Sequence, residues 1–400
     1  MKDVSRVGFL ELTNNHGHQE LLTRYLRIAA HGDGQPMLFT TTETMEKINE
    51  SGSNDAVETV VGETSRNFFE RIEGYCEQEI DILFINTIQG SITDYLQYLR
   101  FDPDCKTILW PHNARAWFEQ ELVFSTGGGL ATTLSTNSKN VFRPRILKKM
   151  DGILVPFEQS RQHLESTYNP PQSVHVLPPS VYDPSVVCVR DSEDTPSASV
   201  DNEEENRPVQ ITIPGSIVGR REYDLVLDTF ESELFPRFNG DIQLTLLGRP
   251  LGTYGDRIVE RAANLSDYGY DIQYFTEWID SNTYADVFQE SDLLLNPIAK
   301  DDAERAESWG LTWNSGILFD ILMYPCSVIL PERYTIPDEL AGAALSYSDG
   351  SDLAQTITEI VESPDRQVEL ATTALENAEQ CTIERQFQRF SQIVDTHLTD

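Results

Sequence analysis

Along the first half of the chain, short apolar runs alternate with stretches in which apolar residues recur at helical spacing. Arg6 to Leu12 reads as a strand, His18 to Ala30 as a helix carried by Leu21, Leu22, Tyr25, Leu26, Ile28 and Ala29, and Pro36 to Thr41 as a second strand. Ile80 to Asn86, Lys106 to Trp110, Gly152 to Val155 and Val174 to Leu177 continue the strand series. From 190 to 207 the pattern stops: RDSEDTPSASVDNEEENR has too little apolar surface to order itself and reads as a solvated linker. Then the alternation restarts. Val209 to Ile213, Asp241 to Leu247, Asp271 to Phe275, Asp292 to Leu295 and Cys326 to Leu330 read as strands, and Tyr223 to Leu234 and Tyr284 to Gln289 as helices. Leu353 to Ile360, Asp365 to Glu379 and Ile383 to His397 are acidic amphipathic helices.

Runs of this kind belong to parallel sheets covered on both faces. The expected class is α/β, with two Rossmann-like domains facing each other across a cleft. Residues 1–182 would form the first domain, 183–208 an acidic linker and 209–380 the second domain, and 381–400 a helix crossing back to the first. Ligands in such sheets lie beyond the carboxyl ends of the strands, so the loops there are where chemistry is expected.

Composition narrows the setting. The 400 residues are 39% hydrophobic, enough for two cores, and no run of apolar residues is long enough to span a membrane. The N-terminus leads straight into a strand-like segment, so a cytoplasmic protein is expected. The net charge of -35, with only seven lysines among thirty basic residues, resembles the adaptation of halophilic archaea to molar salt. Salt at that level shortens the Debye length to about 3 Å and screens the self-repulsion. No basic stripe is visible, which argues against a nucleic-acid partner. Cys76, Cys105, Cys188, Cys326 and Cys381 are dispersed, and without C-x-x-C spacing they read as reduced thiols, not a zinc site.

Several loops carry candidate chemistry. Glu307-Ser308-Trp309-Gly310-Leu311-Thr312 precedes an apolar helix-like run to Met323. A carboxylate there would accept from sugar hydroxyls, while amides opening the helix would meet a phosphate. Arg220 and Arg221 stand together at a strand-to-helix loop, where a guanidinium can grip a diphosphate. In the first half, His16-Gly17-His18 opens a helix, Asn86-Thr87 ends a strand and Trp110-Pro111-His112-Asn113 ends the next. His18 and His112 could donate to a phosphate oxygen or take a proton from an acceptor. His16 and His18 could instead pair on a metal, but no neighbouring ligand pattern supports this. Asp102-Pro103-Asp104 suits a turn better than a metal site. Gly127-Gly128-Gly129 suits a mobile acceptor loop.

Four segments, in order, carry a family resemblance. PGSIVGRREYDLVL (214–227) resembles the first strand, loop and helix of the nucleotide-sugar domain in retaining, family-four-like (group 1) glycosyltransferases of GT-B fold. QLTLLG (243–248), YADVFQESDLLLNP (284–297) and ESWGLT (307–312) are similar to the segments that follow in that family. More loosely, DGILVPFEQSRQHL (151–164) is similar to a segment of its first domain.

The resemblance implies a glycosyltransferase that moves a hexosyl group from a nucleotide diphosphate donor to a glycan or lipid-linked acceptor, with retention and without a metal or other cofactor. It assigns Glu307 to the donor sugar, with Glu307, Arg221 and His112 as the catalytic set. Gly215, Ser216, Arg220, Arg221, Gly248, Trp309, Gly310, Leu311, Thr312 and Ser315 fall at donor-binding positions, and His16, His18, Asn86, His112 and Asn113 on the acceptor side. A lipid-linked acceptor would bring the chain to the inner face of the membrane as a peripheral protein. Two positions depart from the pattern: Ser315 stands where the family has a second glutamate, and Ser216 where it has an arginine. A non-catalytic GT-B homologue serving as a scaffold in glycan assembly is the alternative these departures raise, and a GT-B epimerase is a further one.

Overall fold

The computed structural model describes residues 6–13, 16–32, 35–50, 56–119, 130–185, 207–298 and 309–399. Glu307, Ser308, Gly127 to Gly129, Cys188 and most of the acidic segment lie outside the described residues, as does the side chain of His16.

The chain divides into two compact units. The first comprises Met1–Val181, Gly310–Asn314 and Thr382–Asp400, the second Tyr182–Trp309 and Ser315–Cys381. In the first unit, β1 (Val7–Glu11), α1 (His16–Ala29), β2 (Met37–Thr40), α2 (Thr42–Glu50), β3 (Glu58–Val61), α3 (Arg66–Gln78) and β4 (Ile82–Thr87) follow one another. Next come α4 (Ile92–Arg100), β5 (Lys106–Leu109), α5 (Arg115–Phe118), α6 (Leu130–Leu147), β6 (Gly152–Val155), α7 (Glu158–Tyr168) and β7 (Ser173–Val176). The strands are parallel in the order β3-β2-β1-β4-β5-β6-β7. All of β1 and β4 is buried, which is why both read as unbroken apolar runs. The strand β3, Glu-Thr-Val-Val, is an addition to the sequence reading; it forms an edge and is mostly solvated, so it carries little hydrophobic signal.

In the second unit, β8 (Val209–Pro214) leads into α8 (Tyr223–Thr229), a π-turn and α9 (Phe235–Phe238). Then follow β9 (Ile242–Leu247), α10 (Gly252–Asp267), β10 (Ile272–Tyr274), α11 (Ser281–Glu290) and β11 (Leu293–Leu295). The unit closes with α12 (Ile317–Ile321), β12 (Ser327–Pro331), β13 (Ala344–Tyr347), α13 (Gly350–Val361) and α14 (Pro364–Ala378). Its strands are also parallel, in the order β10-β9-β8-β11-β12-β13. The helix expected from Tyr223 to Leu234 runs on to Phe238. Pro236 has no N–H to give, and the chain accommodates it by widening one turn, the Phe235 N–H reaching back to the Phe230 carbonyl.

The last helix, α15 (Ile383–Thr399), belongs to the first unit. Phe390 stacks over Phe9 and Phe84 on the sheet, with ring centroids 6.3 and 5.3 Å away. Gln386, fully buried, donates to the carbonyls of Pro178 and Ser180, both at 2.7 Å. Burying a phenylalanine contributes about 2–3 kcal/mol, and the two amide bonds fix the helix in register.

One expectation fails locally. The apolar run after Thr312 was expected to be a helix opened by Gly310, Leu311 and Thr312, but the helix begins only at Ile317 and has five residues. Gly310, at φ 84°, makes a turn in which its N–H donates to the Trp313 carbonyl at 2.9 Å. Trp313 bridges Asn113, and the Thr312 carbonyl accepts the Ala114 N–H at 3.0 Å. The Gly310 N–H is thus used within its own turn, and the Thr312 carbonyl and Trp313 pair with the loop after β5.

Candidate functional site

In each unit the strand order reverses once, between β1 and β4 in the first and between β8 and β11 in the second. Crevices at such switch points are where open parallel sheets take their ligands. In the second unit, the loop after β8 is built on two glycines. Gly215 adopts φ 93°, open to glycine alone at low strain, and its N–H donates to the Leu247 carbonyl at 2.8 Å. Gly248 lies so close that a side chain on it would begin 2.2 Å from the Gly215 carbonyl oxygen. Neither position tolerates a side chain.

Arg221 folds back over this turn. Its Nη1 donates to the Pro214 carbonyl, and its Nη2 lies 2.8 Å from where a Gly215 side chain would begin. Tyr223 donates from its hydroxyl to the Gly215 carbonyl at 3.3 Å, and Tyr254 to the Arg221 carbonyl at 2.9 Å. The Glu222 N–H reaches the Pro297 carbonyl after β11 at 2.7 Å, and Arg221 bridges Ile298. Thus the loop carrying Gly215, Ser216, Arg220 and Arg221 is tied across the switch point, with Arg220 exposed and Ser216 half-buried. Nearby in the same unit, Trp309 stacks on Tyr334 at 6.1 Å, and the Ser315 N–H donates to the Tyr334 hydroxyl at 3.1 Å. Asn296, at the end of β11, was missed by the sequence reading: it is fully buried and neither amide atom has a partner.

In the first unit His18 and His112 stack ring on ring, 4.0 Å apart and 12° from parallel, with Trp110 against His112 at 4.0 Å. Burial takes His18 down to about 4; burial and then the neighbouring His18 hold His112 well below the ordinary imidazole range. Both rings are therefore neutral at pH 7, poor proton acceptors but each still able to donate one N–H. His18 Nδ1 and His112 Nε2 are buried without partners, as are both side-chain amide atoms of Gln19 and the hydroxyl of Thr312. Asn113, Gly310, Leu311 and Thr312 lie in this unit, while Arg221, Gly215 and Gly248 lie in the other. Among the described residues, no cluster of three or more His, Cys, Asp or Glu side chains could hold a metal.

No protein-family model and no curated protein matches the chain. Solved structures do. HepE from Anabaena in complex with UDP matches 98% of this chain and 100% of its own, at 10% identity and a TM-score of 0.63. A glycosyltransferase from Rickettsia africae matches 100% of both chains at 14% identity and a TM-score of 0.64. Sucrose-phosphate synthase from Thermosynechococcus elongatus matches 99% of this chain and 100% of its own at 12% identity and a TM-score of 0.63. The fold is GT-B.

In this GT-B chain the most perturbed carboxyl is one the sequence reading passed over. Glu11 ends β1 with no exposed surface, and burial outweighs its hydrogen bonds and pushes it up to about 7. Its Oε1 accepts the Thr13 N–H and its Oε2 accepts Asn86 Nδ2, both at 2.6 Å. Asn86, expected on the acceptor side, is itself buried and committed on one side to Glu11. The available signal was an acid closing the apolar run Val-Gly-Phe-Leu-Glu beside an asparagine closing Ile-Leu-Phe-Ile-Asn. Both occur where a GT-B sheet reverses its strand order.

Proposed function

We propose that the protein is a glycosyltransferase that moves a hexosyl group from a nucleoside diphosphate sugar to a glycan or lipid-linked acceptor, with retention and without a metal. The observation that carries this reading is the glycine-built turn at the switch point of the second unit, where Gly248 packs on the Gly215 backbone and Arg221 lies over Gly215 in a GT-B fold. Such a turn lets a diphosphate approach the backbone, and a guanidinium beside it can neutralise the leaving nucleoside diphosphate. Glu307 would accept from donor-sugar hydroxyls. His18 and His112, neutral, would donate N–H groups to the acceptor or to phosphate oxygen. That HepE was solved with UDP supports a nucleotide donor. No helix among the described residues is long and apolar enough to cross a membrane, so work on a lipid-linked acceptor would be peripheral, at the inner face of a cytoplasmic membrane.

The acid excess fits a protein that works in molar salt. A binding panel of nucleoside diphosphates in multimolar KCl, repeated with Arg221→Ala and Glu307→Ala, tests the reading. One nucleotide should bind and both variants should weaken it at least tenfold; no binding to any nucleotide would overturn the assignment. Ser216 and Ser315 favour a second reading, a binding subunit in polysaccharide assembly, which would retain nucleotide affinity but show no turnover of the bound sugar nucleotide.

A further inference from the structure

The Glu11–Asn86 pair sits where β1 and β4 part, at the switch point of the first unit. The ladder slips there: Leu10 faces Ile85, but Glu11 faces Thr87, so Asn86 is the extra residue of a bulge. A bulge re-aims a side chain, and this one turns Asn86 onto the Glu11 carboxyl. The opposite face of the amide has no partner at Oδ1, and Asn86 lines a cavity of about 10 Å³ together with Phe9, Tyr25, Phe84 and Trp110. That is room for one water or one hydroxyl group.

We propose that Glu11 is a positioning residue that decides, by accepting from Asn86 or donating to it, whether the carbonyl or the NH₂ of that amide faces the cavity. The hydrogen-bond inventory permits two arrangements. With Glu11 ionised, Oε1 takes the Thr13 N–H, Oε2 takes Asn86 Nδ2, and the Asn86 carbonyl faces away from it. When Glu11 gains a proton, Oε1 still serves Thr13. The new O–H on Oε2, the oxygen that had taken Asn86 Nδ2, is donated to the amide, and Asn86 flips to accept it through Oδ1, turning its NH₂ toward the cavity. The carbonyl face suits a hydroxyl that donates; the NH₂ face suits an anionic oxygen.

Thr40 donates to the Glu11 main-chain carbonyl, and the hydroxyls of Thr13 and Thr87 lie against the Glu11 carboxyl, where either competes with Asn86 for its proton. Tyr98 faces it from α4, held protonated by burial and by the Glu11 charge. His18 on α1 stays neutral above about pH 4. Because Glu11 changes charge near pH 7, the two arrangements interconvert within the physiological range. What the flip does to an acceptor rests on the glycosyltransferase reading; the flip itself does not.

The test is a pH titration of the full chain, deuterated and ¹⁵N-labelled at asparagine, in molar KCl from pH 5.5 to 8.5. The Asn86 NH₂ signals are identified by their loss in Asn86→Ala. They should shift with one midpoint near 7 in the wild type. In Glu11→Gln the Thr13 N–H takes the carboxamide oxygen, so the Gln NH₂ must face Asn86 and lock it flipped; the Asn86 signals should hold their low-pH position throughout. Wild-type signals that do not move across the range, or a Gln variant fixed at the high-pH position, would overturn the proposal. Wild-type signals that do not move overturn the proposal even if the variant does not fold, and the flip itself is read from the position at which the Gln variant is fixed. No sugar nucleotide enters the experiment, so its failure leaves the transferase reading standing, and an empty nucleotide panel leaves the switch standing.

Discussion

The energetic consequence of burying Glu11 can be worked out and measured separately. In the unfolded chain its carboxyl titrates at the ordinary 4.5, in the folded chain at about 7. A raised folded value means the native state prefers the proton. Below pH 4.5 both states hold it and there is no penalty; as pH rises from 4.5 to 7 the unfolded state ionises first and stability is lost. Above pH 7 the loss is complete, about 3 kcal/mol. Glu11→Gln removes the titration, so the difference in unfolding free energy between variant and wild type should move in favour of the variant by about 2–3 kcal/mol from pH 5 to pH 8. Urea unfolding followed by tryptophan fluorescence, at fixed multimolar KCl and several pH values, reads this directly. The shift arises from desolvation, which salt screens little, so the same trend should appear at 1 M and 3 M KCl. A difference that stays constant from pH 5 to pH 8 would refute the reasoning, because a lost or gained hydrogen bond has no reason to follow that curve.

Other substitutions probe the rest of the structure. Gly248→Ala places a carbon 2.2 Å from the Gly215 carbonyl oxygen, which should lower stability by about 1–3 kcal/mol and weaken nucleotide binding in the same panel, as calorimetry would show. Phe390→Ala empties the space over Phe9 and Phe84 and should cost about 3–5 kcal/mol in denaturant unfolding. His175 and His397 share one hydrogen bond, Nε2 to Nε2 at 2.8 Å, and burial, then His397, takes His175 down to about 4. A folded value below the unfolded 6.5 means stability is lost as pH falls from 6.5 toward 4, so His175→Gln should flatten the acid limb of a plot of melting temperature against pH.

Most of the strands were legible because a parallel sheet buried on both faces leaves apolar runs, as in the first four residues of β1 and β4 and in all of β11. The edge strands β3 and β13 were not, since Glu58, Val61 and Ser346 face solvent and neither segment carries a fully buried apolar run. At the candidate site, Gly215 and Gly248 were singled out by the resemblance of segments 214–227 and 243–248, and Arg221 by that and by its place beside Arg220 in a strand-to-helix loop. The turn at Gly310 was misread as a helix start for a tertiary reason: its backbone pairs with the loop after β5, a partner roughly two hundred residues away in sequence. Glu11 escaped notice because an acid at a strand end is usually solvated, and only the bulge that brings Asn86 over it shows otherwise.

The crossing of α15 into the first unit sets an order of events during synthesis. Every residue of the second unit has left the ribosome before Thr382, yet the first unit has its Phe390 and Gln386 still to come. Domains ordinarily fold from the N-terminus as they emerge. Here the unit begun first is completed last. Until α15 arrives, the apolar face around Phe9 and Phe84 waits uncovered on the nascent chain.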